Sequence, residues 1–313
     1  MELPPRVEPA HEKGERMAPR LDEGSGMGVV GDNEHGLWFA DASGWGVEGM
    51  RNAGGKIVGA LAVLGDIFAM LCDAVWSTGS AIVRRRFSWS EFAEQSWFLA
   101  SVTILPTILI AIPFGLVLVL EVGGLAVQIG ANTVVGAVDA IGIVREAAPV
   151  ITAIILSGAG GSAICSDLGS RTMRDEISAM WVMAVDPIER LVAPRVLATV
   201  VVAVLLNGVV AFAGILSGYL AAVFILHTSA GGFLNSFSSF AQPADAIEST
   251  FKAGLFGLLA AVVASHQGLN AKRGPAGVGE AVNRSVVITG IGLFILNLLV
   301  TDVFLAIVPP RIL

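Results

Sequence analysis

The sequence predicts an all-α integral membrane protein with five transmembrane helices, and two properties of the chain favour this class. Of its 313 residues, 54% are hydrophobic and only 14% are charged, whereas a soluble globular domain carries about 25% charged residues. Several uncharged runs also exceed the ~18 residues that indicate a membrane helix. These properties argue against a soluble α/β enzyme, and we expect no nucleic-acid partner.

Each predicted span is a long apolar run. At 1.5 Å per residue, each run can cross a hydrocarbon core of about 30 Å, although the second only just reaches that length. The runs cover about 98–120, 147–165, 196–226, 251–267 and 286–308. The Gly-rich stretch 121–144 leaves two alternatives open, an outward extension of the first span or a short re-entrant element.

The distribution of basic residues predicts the orientation, because Lys and Arg concentrate in cytoplasmic loops. Nine of them precede the first predicted span, four lie in the loop 166–195 and three lie in the loop 268–284. The segment 227–250 has none. We therefore expect the N-terminus inside and, after five spans, the C-terminus outside.

Two segments precede the spans. Residues 1–50 carry ten acids against four bases and are rich in Pro, Gly and Glu, which predicts a disordered acidic cytoplasmic tail. The run 57–76 is long enough to span, but Asp66 and Asp73 would cost ~5–7 kcal/mol near a membrane centre, and bases flank it on both sides. We therefore interpret 51–97 as the region of an amphipathic interfacial helix, in preference to a sixth span.

A short charged stretch, 171–195, separates two uncharged runs. Its first part, 171–186, predicts a helix that ends before Pro187. One apolar stripe with spacing i, i+3, i+4 and i+7 is formed by Ile177, Met180, Trp181 and Ala184. The residues alone leave two interpretations open, a connector that lies on lipid headgroups and a docking helix for a cytoplasmic partner.

The segment 145–198 closely resembles the MlaE/YrbE permease family, the membrane subunits of bacterial ABC lipid transporters that work with MCE-domain proteins. The resemblance extends over about 57–308, including "AVNRSVV" (281–287). The segment "FSWSEFAEQSWF" (87–98) resembles the actinobacterial YrbE branch, and within it the A-type subunit of an Mce (mammalian cell entry) locus. The family pattern is present at Arg145, Glu146, Pro149, Glu176, Ile177, Ala179, Met180, Val182, Met183, Val185, Asp186, Pro187, Pro194 and Arg195.

The resemblance implies a role for each segment of the chain. A permease domain over 98–308 is expected in a bacterial inner membrane, and the helix 171–186 is expected to be the coupling helix that binds a separate ATPase. The coupling residues implied are Arg174, Asp175, Glu176, Ile177, Met180, Trp181 and Asp186. The lipid-cavity residues implied are Leu118, Leu125, Ile129, Glu146, Lys252 and Asn297. Further partners implied are a second YrbE-type permease subunit, which is a paralogue or a second copy, MCE-domain proteins, and a lipid or sterol substrate.

The sequence shows no motif for ATP binding, metal binding or catalysis. "AGGKIV" (53–58) lacks the glycine and the Ser/Thr of a Walker A motif, so another chain must hydrolyse ATP. The cysteines and histidines show no metal-ligand spacing, and we expect no metal or cofactor. An ATP-independent secondary transporter is the alternative, but no inverted repeat supports it. An intramembrane enzyme lacks a nucleophile–base pair. Ionisable residues at or inside the membrane are Glu121, Arg145, Glu146, Lys252 and Asp302.

Overall fold

The computed structural model describes residues 65, 67–76, 79, 88–131 and 134–307. The chain divides into two units, Met1–Lys56 and Ile57–Leu313, and all described residues belong to the second. The predicted acidic tail over 1–50 therefore lies outside the described residues. Within them the chain is helical and contains no strand.

In the described part of the chain, five helices are long and apolar enough to cross a membrane, as the sequence predicts for these runs. They are α2 (Trp89–Gln128), α3 (Val135–Met173), α5 (Ile188–Phe224), α7 (Pro243–Leu269) and α8 (Pro275–Ile307). Three shorter helices accompany them, α1 (Ile67–Trp76), α4 (Glu176–Val182) and α6 (Ala230–Phe240). The stretch 121–144 contains the end of α2 and the start of α3, so it extends the spans.

Small residues bring α2 and α5 into close contact. The buried face of α2 repeats every four residues, through Leu99, Thr103, Thr107, Ala111 and Gly115. A Cβ atom at Gly115 would collide with the Ser217 side chain and the Gly214 backbone. This is the close backbone approach that small residues permit in membranes.

Four short π-helical segments lie within the spans, and such segments frequently occur at functional sites. They are Val119–Gly123, Ala140–Ala147, Leu156–Gly160 and Ile188–Val192. The second contains both Arg145 and Glu146.

The spans alternate in direction, which gives the bundle two distinct ends. We call them the α4 end and the α6 end, after the short helix at each. The buried residues Ile67, Met70 and Ala74 of α1 pack with Val192 and Val196, near the start of α5, and so place α1 at the α4 end. Helix α2 begins at the α4 end of the bundle, and α8 ends at the α6 end.

Candidate functional site

Five charged side chains from two helices meet in the half of the bundle nearer the α6 end. Arg145 and Glu146 belong to α3, and Asp245, Glu248 and Lys252 belong to α7. The Lys252 Nζ atom lies 2.8 Å from Glu248 Oε1 and 3.3 Å from Glu146 Oε1. The Arg145 Nε atom lies 3.3 Å from Glu248 Oε2, and its Nη1 atom lies 3.8 Å from Asp245 Oδ1. We call these five residues the charge cluster.

The charge cluster is mostly shielded from solvent. The side chains of Lys252 and Glu248 are 0% and 1% exposed, whereas that of Glu146 is 42% exposed. The Arg145 guanidinium also lies 5.5 Å from the ring centre of Phe304 on α8, within the range of a cation–π contact. Buried charges persist only when they are paired. Glu146, as the most open member, is the charge best placed to meet a ligand.

An apolar cleft of about 260 Å³ lies between α3, α7 and α8. Its polar side chains are Ser157 and Asn297, and the Oδ1 atom of Asn297 is buried without a hydrogen-bond partner among the described residues. Gly158 and Gly290 face open space, because a Cβ atom at either position would meet nothing within 4 Å. The full lining is Val150, Ala153, Ile154, Ser157, Gly158, Phe256, Val286, Gly290, Leu293, Phe294 and Asn297.

The cleft follows the charge cluster along the same helices. Phe256 lies one turn after Lys252 on α7, and Val150 lies five residues after Arg145 on α3. At 1.5 Å per residue, the first cleft residues of α3 lie about 7 Å from the charges and Gly158 lies about 20 Å from them. The arrangement places charges at one end of a half-open apolar surface.

At the opposite end of α3 lies α4, which has a tight turn on each side. Asp175, which precedes α4, has a left-handed φ of 57°, and so does Ala184, which follows it. The N–H of Ala184 donates to Trp181 O and that of Val185 donates to Met180 O, the hydrogen-bond pattern of a Schellman C-cap. Two left-handed residues that are not glycine therefore bound α4.

The two faces of α4 differ. Ile177 and Met180 pack against the main hydrophobic core, whereas Trp181, Val182 and Met183 are exposed. Trp181 also borders a groove of about 370 Å³ between α4, α1 and the end of α7. The apolar stripe read from the sequence is thus divided between the bundle and the surface.

Similarity to known proteins agrees with these features. The family model described as Permease MlaE matches residues 92–303. The chain belongs to the MlaE permease family. It is 30% identical to a probable ABC transporter permease protein of Synechocystis over 74% of this chain and 89% of that protein. It is 27% identical to the intermembrane phospholipid transport system permease protein MlaE of Haemophilus influenzae, over 75% and 88% of the two chains. It is 29% identical to the chloroplastic protein trigalactosyldiacylglycerol 1 of Arabidopsis thaliana, over 56% and 51%.

As an MlaE permease, the chain is a multi-pass membrane subunit of an ABC transporter. Nothing among the described residues favours the alternative of an ATP-independent secondary transporter.

The structure brings only part of the expected MlaE cavity together. Glu146 and Lys252 meet in the charge cluster, and Asn297 lines the cleft. Leu118 instead packs near Gly142, Leu125 is exposed on α2, and Ile129 is exposed directly after the end of α2. These three residues and the cleft of α3, α7 and α8 are separate surfaces of the single chain.

The expected coupling residues of the MlaE permease surround α4. Arg174 Nε lies 2.9 Å from Glu176 Oε1, and Asp175 Oδ1 lies 3.3 Å from Arg273 Nη2. Asp186 accepts a hydrogen bond of 2.8 Å from the backbone N–H of Ile188, at the start of α5. The helix itself is shorter than the predicted 171–186, since it begins at Glu176 and ends at Val182.

Sequence reasoning missed Asp139, Asp245 and Glu248, which the structure places inside α3 and α7. Asp245 and Glu248 complete the charge cluster, and the spacing of Glu248 and Lys252, i and i+4 on one helix face, is the signal that indicates the pair. Asp139 is fully buried beside Gly218, and neither carboxyl oxygen has a hydrogen-bond partner among the described residues. No local pattern marks Asp139.

Proposed function

We propose that this permease is the membrane subunit of an MCE-type ABC lipid transporter. The substrate is an amphiphilic lipid, with its polar headgroup at the charge cluster and an acyl chain in the cleft. The name of the Haemophilus relative, an intermembrane phospholipid transport permease, supports this substrate class. So does the presence of two chemically distinct surfaces along the same helices.

The continuity of the charge cluster with the cleft is the observation that carries the proposal. A lipid needs a polar contact and an apolar surface at a separation set by its own structure. The cleft begins about 7 Å from Arg145, at 1.5 Å per residue, and continues toward the middle of the bundle. Its lining is apolar except for Ser157 and Asn297 and carries no charge, so it suits a hydrocarbon chain better than a charged headgroup.

The proposed orientation places the α4 end in the cytoplasm of a bacterium and α6 outside the inner membrane. The basic residues of the described loops support it, because cytoplasmic loops are enriched in Lys and Arg. The loops at the α4 end contain Arg174, Lys272 and Arg273, and the adjoining turns of the spans contain Arg171, Arg190, Arg195 and Arg284. At the other end Arg145 and Lys252 lie within the charge cluster, and the described residues of the loops and of α6 include no Lys or Arg.

In this orientation, the exposed face of α4 binds the cytoplasmic ATPase. Trp181, Val182 and Met183 form an apolar surface outside the bundle, and large aromatic side chains are common anchors of protein interfaces. A second permease subunit, a paralogue or a second copy, closes the half-open cleft, and MCE-domain proteins exchange lipid with it on the outer side.

Filling the cleft tests the function. The permease is reconstituted with its ATPase in proteoliposomes that contain a fluorescent phospholipid, and ATP-dependent extraction of that phospholipid is measured. Gly158→Leu adds an isobutyl side chain to the cleft wall, at a position where a Cβ atom meets nothing within 4 Å. We expect extraction to fall about tenfold, the effect of losing ~1.4 kcal/mol of binding free energy.

Gly208→Leu is the matched control, because Gly208 is exposed on α5, away from the cleft, and also faces open space. It should retain the extraction rate of the parent protein. Equal rates in the Gly158 variant and the parent would refute a chain-binding cleft. A parent protein that moves no lipid on ATP addition would refute the transporter itself.

A further inference from the structure

A second set of ionised side chains connects α4 with the interior of the bundle. Arg195 of α5 is fully buried, and its Nη2 atom pairs with Asp167 Oδ2 on α3. Its Nη1 atom also donates to Leu191 O at 3.2 Å. Its Nε atom has no hydrogen-bond partner among the described residues. Asp167 is therefore the one carboxylate that pairs with this buried guanidinium in the described structure.

The same carboxylate continues the connection toward α4. Arg171 Nε lies 3.5 Å from Asp167 Oδ1, and Arg171 Nη1 lies 4.0 Å from Glu176 Oε2 in the first turn of α4. The four residues Arg195, Asp167, Arg171 and Glu176 form what we call the ion-pair chain. It joins α5, α3 and α4 without a break.

Arg171 lies between two competing carboxylates at similar distances. If α4 moves away from α3, the contact between Arg171 and Glu176 lengthens and Arg171 can bind Asp167 more closely. If α4 moves toward α3, Arg171 can bind Glu176 more closely instead. A pocket of about 230 Å³, lined in part by Gln95, Asp167, Arg171 and Arg195, adjoins these side chains. It provides room for them to exchange partners, which a close-packed interior would deny.

The geometry of α4 suits a rigid lever. Before α4, Asp175 pairs with Arg273 in the connection between α7 and α8, and Thr172 Oγ1 donates to Gly268 O in the last turn of α7 at 3.3 Å. The left-handed Ala184 and its two backbone hydrogen bonds fix the turn after α4. With both flanking turns held in this way, a force on the exposed face of α4 would move the turns at both of its ends.

We infer that the ion-pair chain transmits movement of α4 to α3 and α5, so that Asp167 and Arg171 are positioning residues for lipid transport. This inference rests on the proposed function, since it requires an ATPase at α4 and a lipid carried by the bundle. The two residues touch neither. Their effect is expected on the ratio of lipid moved to ATP hydrolysed.

The test uses the permease–ATPase complex in proteoliposomes of phosphatidylethanolamine and phosphatidylglycerol with a fluorescent phospholipid. Arg171→Met removes the central charge of the ion-pair chain and keeps a long side chain at a position that is about one-third exposed. Asp167 keeps its pair with the buried Arg195 in this variant. We expect ATP hydrolysis to stay within about twofold of the parent rate. Lipid moved per ATP should fall about tenfold, in the range typical of coupling between sites.

Two further variants separate coupling from folding. Asp167→Asn also leaves the buried Arg195 without its carboxylate, so its ratio is measured on equal amounts of folded complex. It should lower the ratio, and its combination with Arg171→Met should lower it no further, because both variants interrupt one chain. Arg171→Lys should restore part of the ratio. The matched control is Glu280→Gln, which removes pairs with Lys272 and Arg284 at the same end of the bundle but does not contact α4.

The outcomes distinguish this inference from the proposed function. If the parent and Glu280→Gln both move lipid and Arg171→Met keeps their ratio, the ion-pair chain has no coupling role. Strictly additive losses in the double variant would also overturn it. If the parent moves no lipid with ATP, the proposed function fails first.

Discussion

The charge cluster and the ion-pair chain are both built on α3, yet they differ in burial and in connection. Arg145 and Asp167 are about 22 residues apart, which corresponds to about 33 Å of helix. This is close to the ~30 Å thickness of a hydrocarbon core, and the predicted second span, 147–165, lies between them. The two networks therefore occupy opposite edges of the same transmembrane segment.

Burial separates their behaviour. In the charge cluster, Glu248 and Lys252 are both completely enclosed and paired with each other. In the ion-pair chain only Arg195 is enclosed, and the other three members are about one-third to two-fifths exposed. Exposed ion pairs contribute ~0–1 kcal/mol each, whereas breaking a buried pair costs ~3–5 kcal/mol. The difference indicates a fixed network near α6 and an exchangeable one near α4.

The largest expected effect is at Glu248. Glu248→Gln leaves the buried Lys252 and the partly buried Arg145 without their shared carboxylate, so the free energy of unfolding should fall by about 3–5 kcal/mol. Thermal unfolding of the detergent-solubilised permease measures the loss. Glu146→Gln is the control within the same cluster, and because Glu146 is 42% exposed, its loss should be ~0–1 kcal/mol. Equal losses would mean that burial does not distinguish the two acids.

A paired replacement separates stability from transport in the charge cluster. Glu248→Leu combined with Lys252→Met removes both buried charges, and such apolar replacements are often neutral or stabilising by ~1–4 kcal/mol. We expect the double variant to unfold near the parent temperature but to lose phospholipid extraction. Retained extraction would show that the cluster is a structural feature without a part in headgroup binding.

The next effect concerns the exposed face of α4. Trp181→Ala should weaken binding of the ATPase about 30-fold, which corresponds to the ~2 kcal/mol of an interface anchor. Co-purification at graded salt and protein concentration measures it. Trp97→Ala is the control, because Trp97 is also an exposed tryptophan near the α4 end but belongs to α2. Undiminished binding in the Trp181 variant would leave α4 as a connector.

The five spans could be predicted because hydropathy is a local property of a long run. The ends of those spans could not. The fourth span is predicted to start at 251, yet α7 begins at Pro243 and includes Asp245 and Glu248. In a linear sequence these acids resemble a loop. In the fold they lie in the first turns of α7, where Asp245 forms a capping box with Gln242 and Arg145 of α3 pairs with both acids.

The same limit explains the two networks. Glu146 and Lys252 were accessible through family resemblance, but Asp167 lies just beyond the predicted end of the second span and its partner Arg195 just before the third. Their pairing depends on tertiary packing. The length of α4 was also hidden, because left-handed backbone usually indicates Gly or Asn, and the residue at the end of α4 is Ala184.

The smallest expected effect lies at that residue and tests whether α4 ends as a fixed turn. Ala184 has a φ of 57°, a conformation that costs an L-residue roughly 1–2 kcal/mol and costs glycine little. Glycine also gives the unfolded chain more freedom, which offsets about 0.4–1 kcal/mol. Ala184→Gly should therefore raise the unfolding temperature slightly. Ala179→Gly, five residues earlier in the helical part of α4, should lower the unfolding temperature, because glycine has a helix propensity about 1 kcal/mol less favourable than that of alanine. The same substitution then has opposite signs at two neighbouring exposed positions. A decrease at both would mean that position 184 is helical in the membrane, and that α4 extends toward Pro187 without the fixed turn on which the lever depends.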